Sequence, residues 1–363
     1  MTGNTCLPLR RTAMIPANVV SKLLSKVDAE TRRDINTLLK YPDNSAGSIM
    51  TVEYLDFKEY ITIKDAIKKI KKEYDEKETI DTCFVTDKKR KLIGTVKLKD
   101  LVINDEDTPI GDIMDDSVMS VDTLTDQEEV AKIIQDYDLT SIAVVDSESK
   151  LVGIITIDDV IDIIEEETTE DIEKMAAILP TEKSYLKLST FDLWKSRIPW
   201  LLLLMISATF TGKIIQHFEE SLAACVILTS FIPMLMDTGG NAGGQSSATI
   251  IRALSLNDIE FKDIFKVIFK EFKVAFVVSL TLSVANFIKL IFIDGVTTNI
   301  ALVVCLTLIL TVCIAKIVGC SLPIIAKKIG FDPAVMASPF ITTIVDAISL
   351  LVYFQIASQI LHI

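Results

Sequence analysis

The chain has 363 residues, half of them apolar and 24% charged, with a formal net charge of −13. One soluble globule rarely combines these features, so we expect two halves that face different solvents. The acidic balance argues against a nucleic-acid partner, because binding phosphate requires Lys and Arg. Six cysteines without a Cys-x-x-Cys pair and only two histidines argue against a disulfide framework and a zinc centre.

The first half carries an internal repeat. Phe84–Val102 matches Ala143–Ile161, and Gly47–Met50 matches Gly111–Met114. Each copy predicts an amphipathic helix, an apolar strand, a polar turn, a second strand with glycine and a further helix, which together form an α+β unit. Two copies are expected to bury a face together. We place them at residues 46–110 and 111–167, after a short helical segment at residues 1–45.

The copies resemble a tandem pair of CBS domains. The signature Gly-x-apolar-Ser/Thr-x-x-Asp is met in copy two by Gly153, Thr156 and Asp159, whereas in copy one Lys97 replaces the hydroxyl residue and Asp100 is kept. In that family the Asp often bonds a ribose. The resemblance therefore implies ATP or another adenine nucleotide as a ligand of Asp100, Asp159 and Thr156; the alternative is a pair that binds no nucleotide.

An acidic segment follows copy two. Nine of the sixteen residues in Asp158–Glu173 are acidic. On a helix, several of them would line one face, where like charges destabilise each other. Mg²⁺ would offset this repulsion, since it prefers oxygen ligands and is often held by one or two carboxylates. The alternatives are a solvated acidic face and a basic protein partner.

The second half predicts an all-α membrane domain at residues 197–363, joined by a connecting helix at residues 168–196. Five apolar stretches approach the length of a membrane span: Ile198–Gln216, Leu222–Met236 extended by small residues, Val274–Ile293, Ile300–Ile325 and Ala334–Leu361. Lys and Arg occur before the first span and in the second and fourth connections, but not in the other connections. This alternation places the N-terminus in the cytosol and the C-terminus outside. The alternative is a buried helical core.

Two features of these spans are costly in a membrane. Pro233–Ser247 contains four glycines within six positions, which weaken a helix and let backbones approach closely. Asp346 lies in the middle of the last span, where a carboxylate costs at least ~2.5 kcal/mol unless it faces a polar cavity or a cation. The alternatives are a tight helix-packing seam for the glycines, and an Asp bonded to Thr or Ser.

Three motifs resemble the MgtE-type magnesium transporter family: Pro233–Ser247, Asp332–Asp346 and Glu166–Asp171. The resemblance covers residues 42–363. It implies a cytosolic α+β tandem CBS pair followed by an all-α five-helix transmembrane domain, in a homodimer embedded in the inner membrane. Members usually begin with a longer helical domain than the segment that precedes Gly47 here, so we expect ion sites shared with that domain to be missing.

The family's functional residues can be placed on this sequence. Spans two and five would line a pore for hydrated Mg²⁺, with Asp346 as the pore carboxylate and Asn241 near its inner end. A helix at about Thr168–Thr190 would close the pore when cytosolic Mg²⁺ is high. The resemblance implies nine regulatory ion positions: Asp126, Glu128, Asp138, Asp159, Asp162, Glu167, Glu170, Asp171 and Asp332.

Two rival functions stay open from the sequence. One is transport of Co²⁺ or Mn²⁺, although carboxylates without His, Cys or Met favour harder ions. The other is a membrane-anchored nucleotide sensor, for which neither Asp346 nor the glycine run would be needed. We expect no enzymatic activity, because we find no pairing of a nucleophile with a base.

Overall fold

The structure is a computed structural model that describes residues 38–181, 184–336 and 338–362. It divides into two compact units, Met1–Glu167 and Thr168–Ile363, and each is described by itself. The predicted helical segment at residues 1–45 lies, through residue 37, outside the described residues.

The first unit contains the predicted repeat. Helix α1 (Ala46–Ile49) precedes the first copy, which consists of β1 (Asp56–Lys58), α2 (Ile63–Glu73), β2 (Thr82–Thr86), β3 (Leu92–Lys97) and α3 (Leu98–Ile103). The second copy consists of β4 (Ser120–Asp122), α4 (Gln127–Asp136), β5 (Ser141–Val145), β6 (Leu151–Thr156) and α5 (Ile157–Met175). The α+β prediction is confirmed. The three-residue strands β1 and β4 are too short to show an alternation, so the pattern does not predict them.

Both sheets have the same topology. The first strand pairs parallel with the second, and the second pairs antiparallel with the third. The segment before each copy crosses to the sheet of the other copy, where a methionine covers a glycine. A Cβ atom at Gly153 would lie 2.5 Å from the sulfur of Met50, and one at Gly94 would lie 2.8 Å from the sulfur of Met114. The repeated glycine and methionine positions therefore hold the two copies together.

The second unit is helical. Its helices are α6 (Thr190–His217), α7 (Glu219–Ala224), α8 (Ile232–Ser255), α9 (Ile264–Phe292), α10 (Thr298–Lys328) and α11 (Ser338–Leu361). Among the described residues, four segments are long and apolar enough to cross a membrane: Thr190–His217, Phe261–Phe292, Thr298–Lys328 and Pro333–Leu361. They coincide with the first, third, fourth and fifth predicted spans.

The second predicted span differs from the helix observed. Helix α8 begins at Ile232 rather than Leu222, and the residues before it form α7 and a 3₁₀ turn at Val226–Phe231. Pro233 stands in the first turn of α8, where its missing N–H costs nothing and its fixed φ favours the helix start. Glycines and polar residues keep α8 from being as apolar as the other long helices.

Helix α10 forms the centre of the second unit. In its apolar stretch 67% of the residues are buried, whereas in each of the other three candidate spans at most 25% are buried. It packs against α8, α9 and α11, and its buried residues join those of α8 and α11 in one apolar core. The outer faces of α6 and α9 expose large apolar side chains, as expected for helices in contact with lipid.

The predicted connecting helix over Thr168–Thr190 is wrong in extent, because α5 ends at Met175. Ala177 adopts a φ of 55°. The N–H of Ile178 donates to the carbonyl of Glu173 at 2.9 Å, a hydrogen bond that closes the C-terminus of a helix. The helix that contains the acidic segment therefore does continue beyond Thr168, but it ends at Met175 instead of Thr190.

Candidate functional site

One face of α8 is packed against its neighbours through glycine. A Cβ atom at Gly319 of α10 would lie 2.2 Å from the carbonyl oxygen of Gly243, and one at Gly240 would lie 2.7 Å from the Cγ2 atom of Thr342 on α11. Both are closer than real Cβ atoms approach other atoms. The glycine run is thus a close helix-packing seam, the alternative that the sequence left open.

The other side of α8 is polar. Asp237, Asn241, Gln245 and Thr249 are exposed, and their spacing of four residues places them along one side of the helix. We call these four residues the polar face of α8. Polar side chains at membrane depth are tolerated where they face protein or water rather than lipid. The polar face therefore needs an aqueous cavity or another protein surface beside it.

Asp346 lies half-buried on α11. The predicted alternative, an Asp tied by neighbouring hydroxyls, is not what the structure shows. Thr342 and Thr343 both donate instead to the carbonyl of Pro339, at 2.9 and 3.1 Å. Within the described part of the chain, Asp346 has neither a hydrogen bond nor an ion pair, but it is close enough to Asp237 to interact with it electrostatically. Two carboxylates near each other in an otherwise apolar unit favour a cation between them.

A second group of charges lies where α5 ends. The ammonium of Lys174 bonds both the carboxylate of Glu170 and, at 2.6 Å, that of Asp332. We call Glu170, Asp171, Lys174 and Asp332 the acid–lysine cluster. Burial and the nearby charge of Asp332 raise the pKa of Asp171, with Lys174 acting in the opposite direction. Burial lowers the pKa of Lys174, but its bonds to Asp332 and Glu170 outweigh this effect, so the net shift is upward.

The cluster contains three of the predicted regulatory residues, and the structure brings them together. Asp332 is also held by the chain near it, because its Oδ1 atom accepts the N–H of Ala334 at 2.8 Å. The sequence pattern did not indicate Lys174, whose role becomes visible only when Asp332 is placed beside α5. A lysine thus occupies the position between two carboxylates for which a metal ion was predicted.

The other predicted regulatory residues belong to the first unit. Asp126 caps α4, where its Oδ1 atom accepts the N–H of Glu128 at 2.9 Å. Glu167 accepts a 2.5 Å hydrogen bond from the amide of Gln127. The remaining positions lie at the end of α4 and along α5: Asp138, Asp159 and Asp162. No group of three or more His, Cys, Asp or Glu side chains in the described ranges is arranged to hold a metal ion.

The first unit has a cavity of about 690 Å³ between its two copies. Its lining includes Thr82, Lys97 and Lys99 of copy one and Tyr137 and Asp138 at the end of α4. This volume lies within the range of small-molecule sites, and two lysines suit a phosphate.

The candidate nucleotide residues lie at the start of the helix that follows each hairpin. Asp100 accepts the N–H of Lys97 at 3.2 Å, and Asp159 accepts the hydroxyl of Thr156 at 2.8 Å. The Asp100 carboxylate thus caps its helix, whereas the Asp159 carboxylate bonds the side chain of the residue before its helix. Lys97, which breaks the signature in copy one, lines the cavity.

Two further features of the second unit had no predicted role. Asp237 is adjacent to the glycine run, and its position beside Asp346 could have been inferred only from the pairing of α8 with α11. Lys316 on α10 and Glu271 on α9 form an ion pair of 3.5 Å whose side chains are 5% and 15% exposed. The pattern suggested a role for neither residue, because Lys316 stands alone among apolar neighbours and Glu271 lies among lysines that follow the second connection.

Comparisons with known proteins agree with this architecture. The family model for MgtE divalent cation transporters matches residues 232–356, and the CBS-domain model matches residues 46–106 and 110–166. A magnesium transporter MgtE of Thermus thermophilus is 38% identical over 341 residues, which cover 94% of this chain and 75% of that protein. A magnesium transporter MgtE of Bacillus subtilis is 37% identical over 343 residues, covering 93% and 74%.

A solved structure of the cytosolic domain of the Mg²⁺ channel MgtE in complex with ATP is also similar. It shares 38% sequence identity, and the match covers 43% of this chain and 62% of that chain with a TM-score of 0.41.

Proposed function

This chain belongs to the MgtE family of divalent cation transporters. We propose that it conducts Mg²⁺ across a membrane, because the similar proteins of Thermus thermophilus and Bacillus subtilis are named magnesium transporters. The observation that carries the proposal is the exposed polar face of α8 beside Asp346, in a unit whose other long helices are apolar. The chain is a transporter rather than an enzyme.

The conduction path runs along the polar face of α8. Asp237 and Asp346 supply negative charge, and Asn241, Gln245 and Thr249 supply neutral oxygen atoms. Mg²⁺ gives up its water reluctantly and is commonly held through few carboxylates with its waters retained. Among the described residues no protein cation lies between these two carboxylates, and such a pair suits a hydrated ion. Inward movement needs no fuel, since two charges crossing ~100 mV gain roughly 4.6 kcal/mol.

A homodimer in the inner membrane, with five spans, completes this proposal. The polar face and Asp346 then meet their copies across a twofold axis, which shields them from lipid. The positive-inside pattern supports a cytosolic N-terminus and an external C-terminus. α8 is the span that composition alone does not identify, because it lies against the pore instead of lipid.

Regulation by cytosolic Mg²⁺ is the second part of the proposal. Within each unit, carboxylates repel one another when Mg²⁺ is scarce: those of the acid–lysine cluster in the second unit, and those such as Asp159, Asp162 and Glu167 in the first. Bound Mg²⁺ offsets this repulsion in the closed state and therefore favours it, by the difference in affinity between the two states. The ion binds as a hydrated species between carboxylates of more than one segment.

Mg²⁺ flux into liposomes that contain the purified chain tests the conduction path. Asp346→Asn preserves the size of the side chain but removes its charge, so Mg²⁺ flux or its selectivity over Co²⁺ and Mn²⁺ should be lost. Asp258→Asn, at an exposed position after α8, is the matched control and should retain wild-type flux. Wild-type flux and selectivity in Asp346→Asn would reject the pore assignment, and flux of Co²⁺ or Mn²⁺ without Mg²⁺ would favour the rival cargo.

We also propose that the cavity of the first unit binds ATP or another adenine nucleotide. The observation in favour is a cavity of about 690 Å³ that Lys97 and Lys99 line, since Lys97 compensates for the missing hydroxyl with a charge for phosphate. Added ATP should raise the unfolding temperature of the wild-type chain in detergent. Lys97→Ala should reduce that shift, and Lys88→Ala, in the exposed turn between β2 and β3, should preserve it. Equal shifts in all three proteins would place the nucleotide elsewhere.

A further inference from the structure

The first turns of α9 expose a row of phenylalanine rings. At 100° per residue, Phe265, Phe269, Phe272 and Phe276 fall within about 60° of one another around the helix. Their exposed fractions are 81%, 61%, 45% and 54%. Apolar surface of this extent is unfavourable in water, so the row indicates contact with an apolar environment.

The neighbouring side of the same turns is basic. Four exposed lysines fall within about 80° of one another, directly beside the row of phenylalanines: Lys262, Lys266, Lys270 and Lys273. The third side of these turns, which includes Ile264 and Val267, packs into an apolar cluster with α8 and α10. The inner end of α9 is thus buried on one side, aromatic on the second and basic on the third.

The length of α9 places this segment at the membrane surface. The helix has 29 residues and is therefore about 43 Å long, whereas the hydrocarbon core of a bilayer is about 30 Å thick. The span predicted from the sequence begins at Val274. Lys273 and the turns before it then lie in the headgroup layer and beyond, on the side where positive charge collects.

The lysines continue the lipid-facing side of the span. Val277, Leu280, Val284 and Ile288 are among its most exposed apolar side chains. At 100° per residue, they occupy the same arc of about 80° as the four lysines. Lipid that covers this side of the span therefore brings its headgroups to the lysines. A protein partner would have to cover the basic turns and leave the same side of the helix bare one turn further on.

The lysine ammoniums beside the phenylalanines are accessible to an anion. That of Lys273 lies 4.2 Å from the ring centroid of Phe269 and has no carboxylate partner among the described residues. A cation–π contact leaves N–H donors of the ammonium free. Lys266 pairs with Asp263 at 2.8 Å, but its side chain is 84% exposed. Both ammoniums can thus donate to a phosphate.

Phe269 is the centre of this arrangement. Its neighbours three or four positions away, which lie against it on the helix surface, are Phe265, Lys266, Phe272 and Lys273. We call these five residues the phenylalanine–lysine patch. We propose that the patch binds an anionic phospholipid, with the phosphate on Lys266 and Lys273 and the adjoining part of an acyl chain against the rings. This site uses no residue of the proposed conduction path.

Tryptophan quenching by brominated lipids reports which lipid lies at one residue. In the full chain, Trp194→Phe and Trp200→Phe remove the native signal, and Phe269→Trp places a reporter in the patch with an aromatic ring still available to Lys273. The vesicles contain phosphatidylcholine and phosphatidylglycerol, and either lipid carries bromine on its acyl chains. Quenching should show a preference of about fivefold for phosphatidylglycerol, the scale of one lysine at an anionic membrane surface.

The opposite end of α9 supplies the controls. Phe292 is 81% exposed, and the nearby Lys289 is paired with Asp294 at 2.8 Å, so Phe292→Trp should be quenched equally by the two lipids. In the Phe269→Trp chain, Lys266→Gln/Lys273→Gln should abolish the preference for phosphatidylglycerol. Lys289→Gln removes the same kind of charge at the other end of the helix and should keep that preference.

Each other outcome is decisive. Absence of quenching by both lipids in Phe269→Trp would mean that protein covers the patch, and equal quenching would mean contact with lipid without recognition of its headgroup. A preference that persists in Lys266→Gln/Lys273→Gln would exclude the two lysines. Any of these results would overturn the inference. A chain that shows the preference but conducts no Mg²⁺ would reject the proposed function and leave this inference standing.

Discussion

At the scale of single residues, the two candidate ion sites differ in what already balances their charge. Asp346 and Asp237 interact with each other and have no cation beside them among the described residues, so an ion entering the site meets uncompensated charge. In the acid–lysine cluster, Lys174 already bonds Glu170 and Asp332. An ion that binds there must compete with a lysine. The first site suits passage of Mg²⁺, and the second suits a response at a higher ion concentration.

Lys174→Met should make inhibition by cytosolic Mg²⁺ more sensitive. Without the tethered cation, Glu170 and Asp332 are unpaired and attract Mg²⁺ more strongly. The concentration for half-inhibition of flux should fall about fivefold, which corresponds to about 1 kcal/mol, the scale of a partly exposed ion pair. Lys270→Met changes an exposed lysine of α9 and should not move the inhibition curve. A curve shifted to higher Mg²⁺ in Lys174→Met would mean that Lys174 stabilises the closed state itself.

A functional residue could be predicted from the sequence where its energetic cost depends only on its neighbours in the chain. Asp346 stands out because a carboxylate in an apolar span is expensive wherever it points. Lys174 and Asp237 could not be predicted in the same way, because their meaning depends on Asp332 and Asp346, which lie far along the chain. The prediction therefore gave Asp346 without Asp237, and the carboxylates of the acid–lysine cluster without Lys174.

At the scale of helices and strands, the apolar periodicity of the sequence predicted the elements that are long enough to show a repeat. Both hairpins, the helices that flank them and the four most apolar helices are found close to their expected positions. The start of α8 and the end of α5 were misplaced, because helix ends are decided by capping and by turns rather than by an apolar pattern. α8 was also the least apolar of the predicted spans, since one of its faces consists of glycines and the other of polar residues.

Gly319→Ala should disrupt the seam between α8 and α10. Its new methyl group would meet the backbone of Gly243 at 2.2 Å, and backbone cannot rotate away as a side chain can. Overpacking of this kind typically costs about 1–3 kcal/mol, so the unfolding temperature in detergent should fall. Gly212→Ala on α6 is the matched control, because a Cβ atom there has no other atom within 4 Å, and its higher helix propensity should leave stability unchanged or raised. Equal effects of the two substitutions would show that α8 and α10 do not approach closely.

At the scale of the whole molecule, the charged residues fall into two groups, those proposed for regulation and those proposed for conduction. The first unit contains most of the predicted regulatory carboxylates, and the second contains the polar face and the acid–lysine cluster. Composition predicted this division, because a chain that is both apolar and strongly acidic must separate the two properties. Composition could not predict which carboxylates would come together, since that depends on how α5 meets the residues before α11.

The division allows the two tasks to be separated by experiment. A chain that starts at Thr168 retains the complete second unit, with Asp346, the polar face and the acid–lysine cluster. It should conduct Mg²⁺ into liposomes, because its path is intact. Inhibition by Mg²⁺ on the cytosolic side should weaken, since coupling between two sites cannot exceed the ion's difference in affinity for the two states, and carboxylates such as Asp162 and Glu167 no longer contribute.

Titrating cytosolic Mg²⁺ against flux for the full and shortened chains measures that contribution directly. The full chain carrying Asp162→Asn is the matched control, because it loses one carboxylate and keeps the fold, so its inhibition curve should fall between the other two. If the shortened chain were inhibited at the same Mg²⁺ concentration as the full chain, regulation would belong to the acid–lysine cluster alone. The first unit would then act on the transporter through another ligand, for which the cavity beside Lys97 is the candidate.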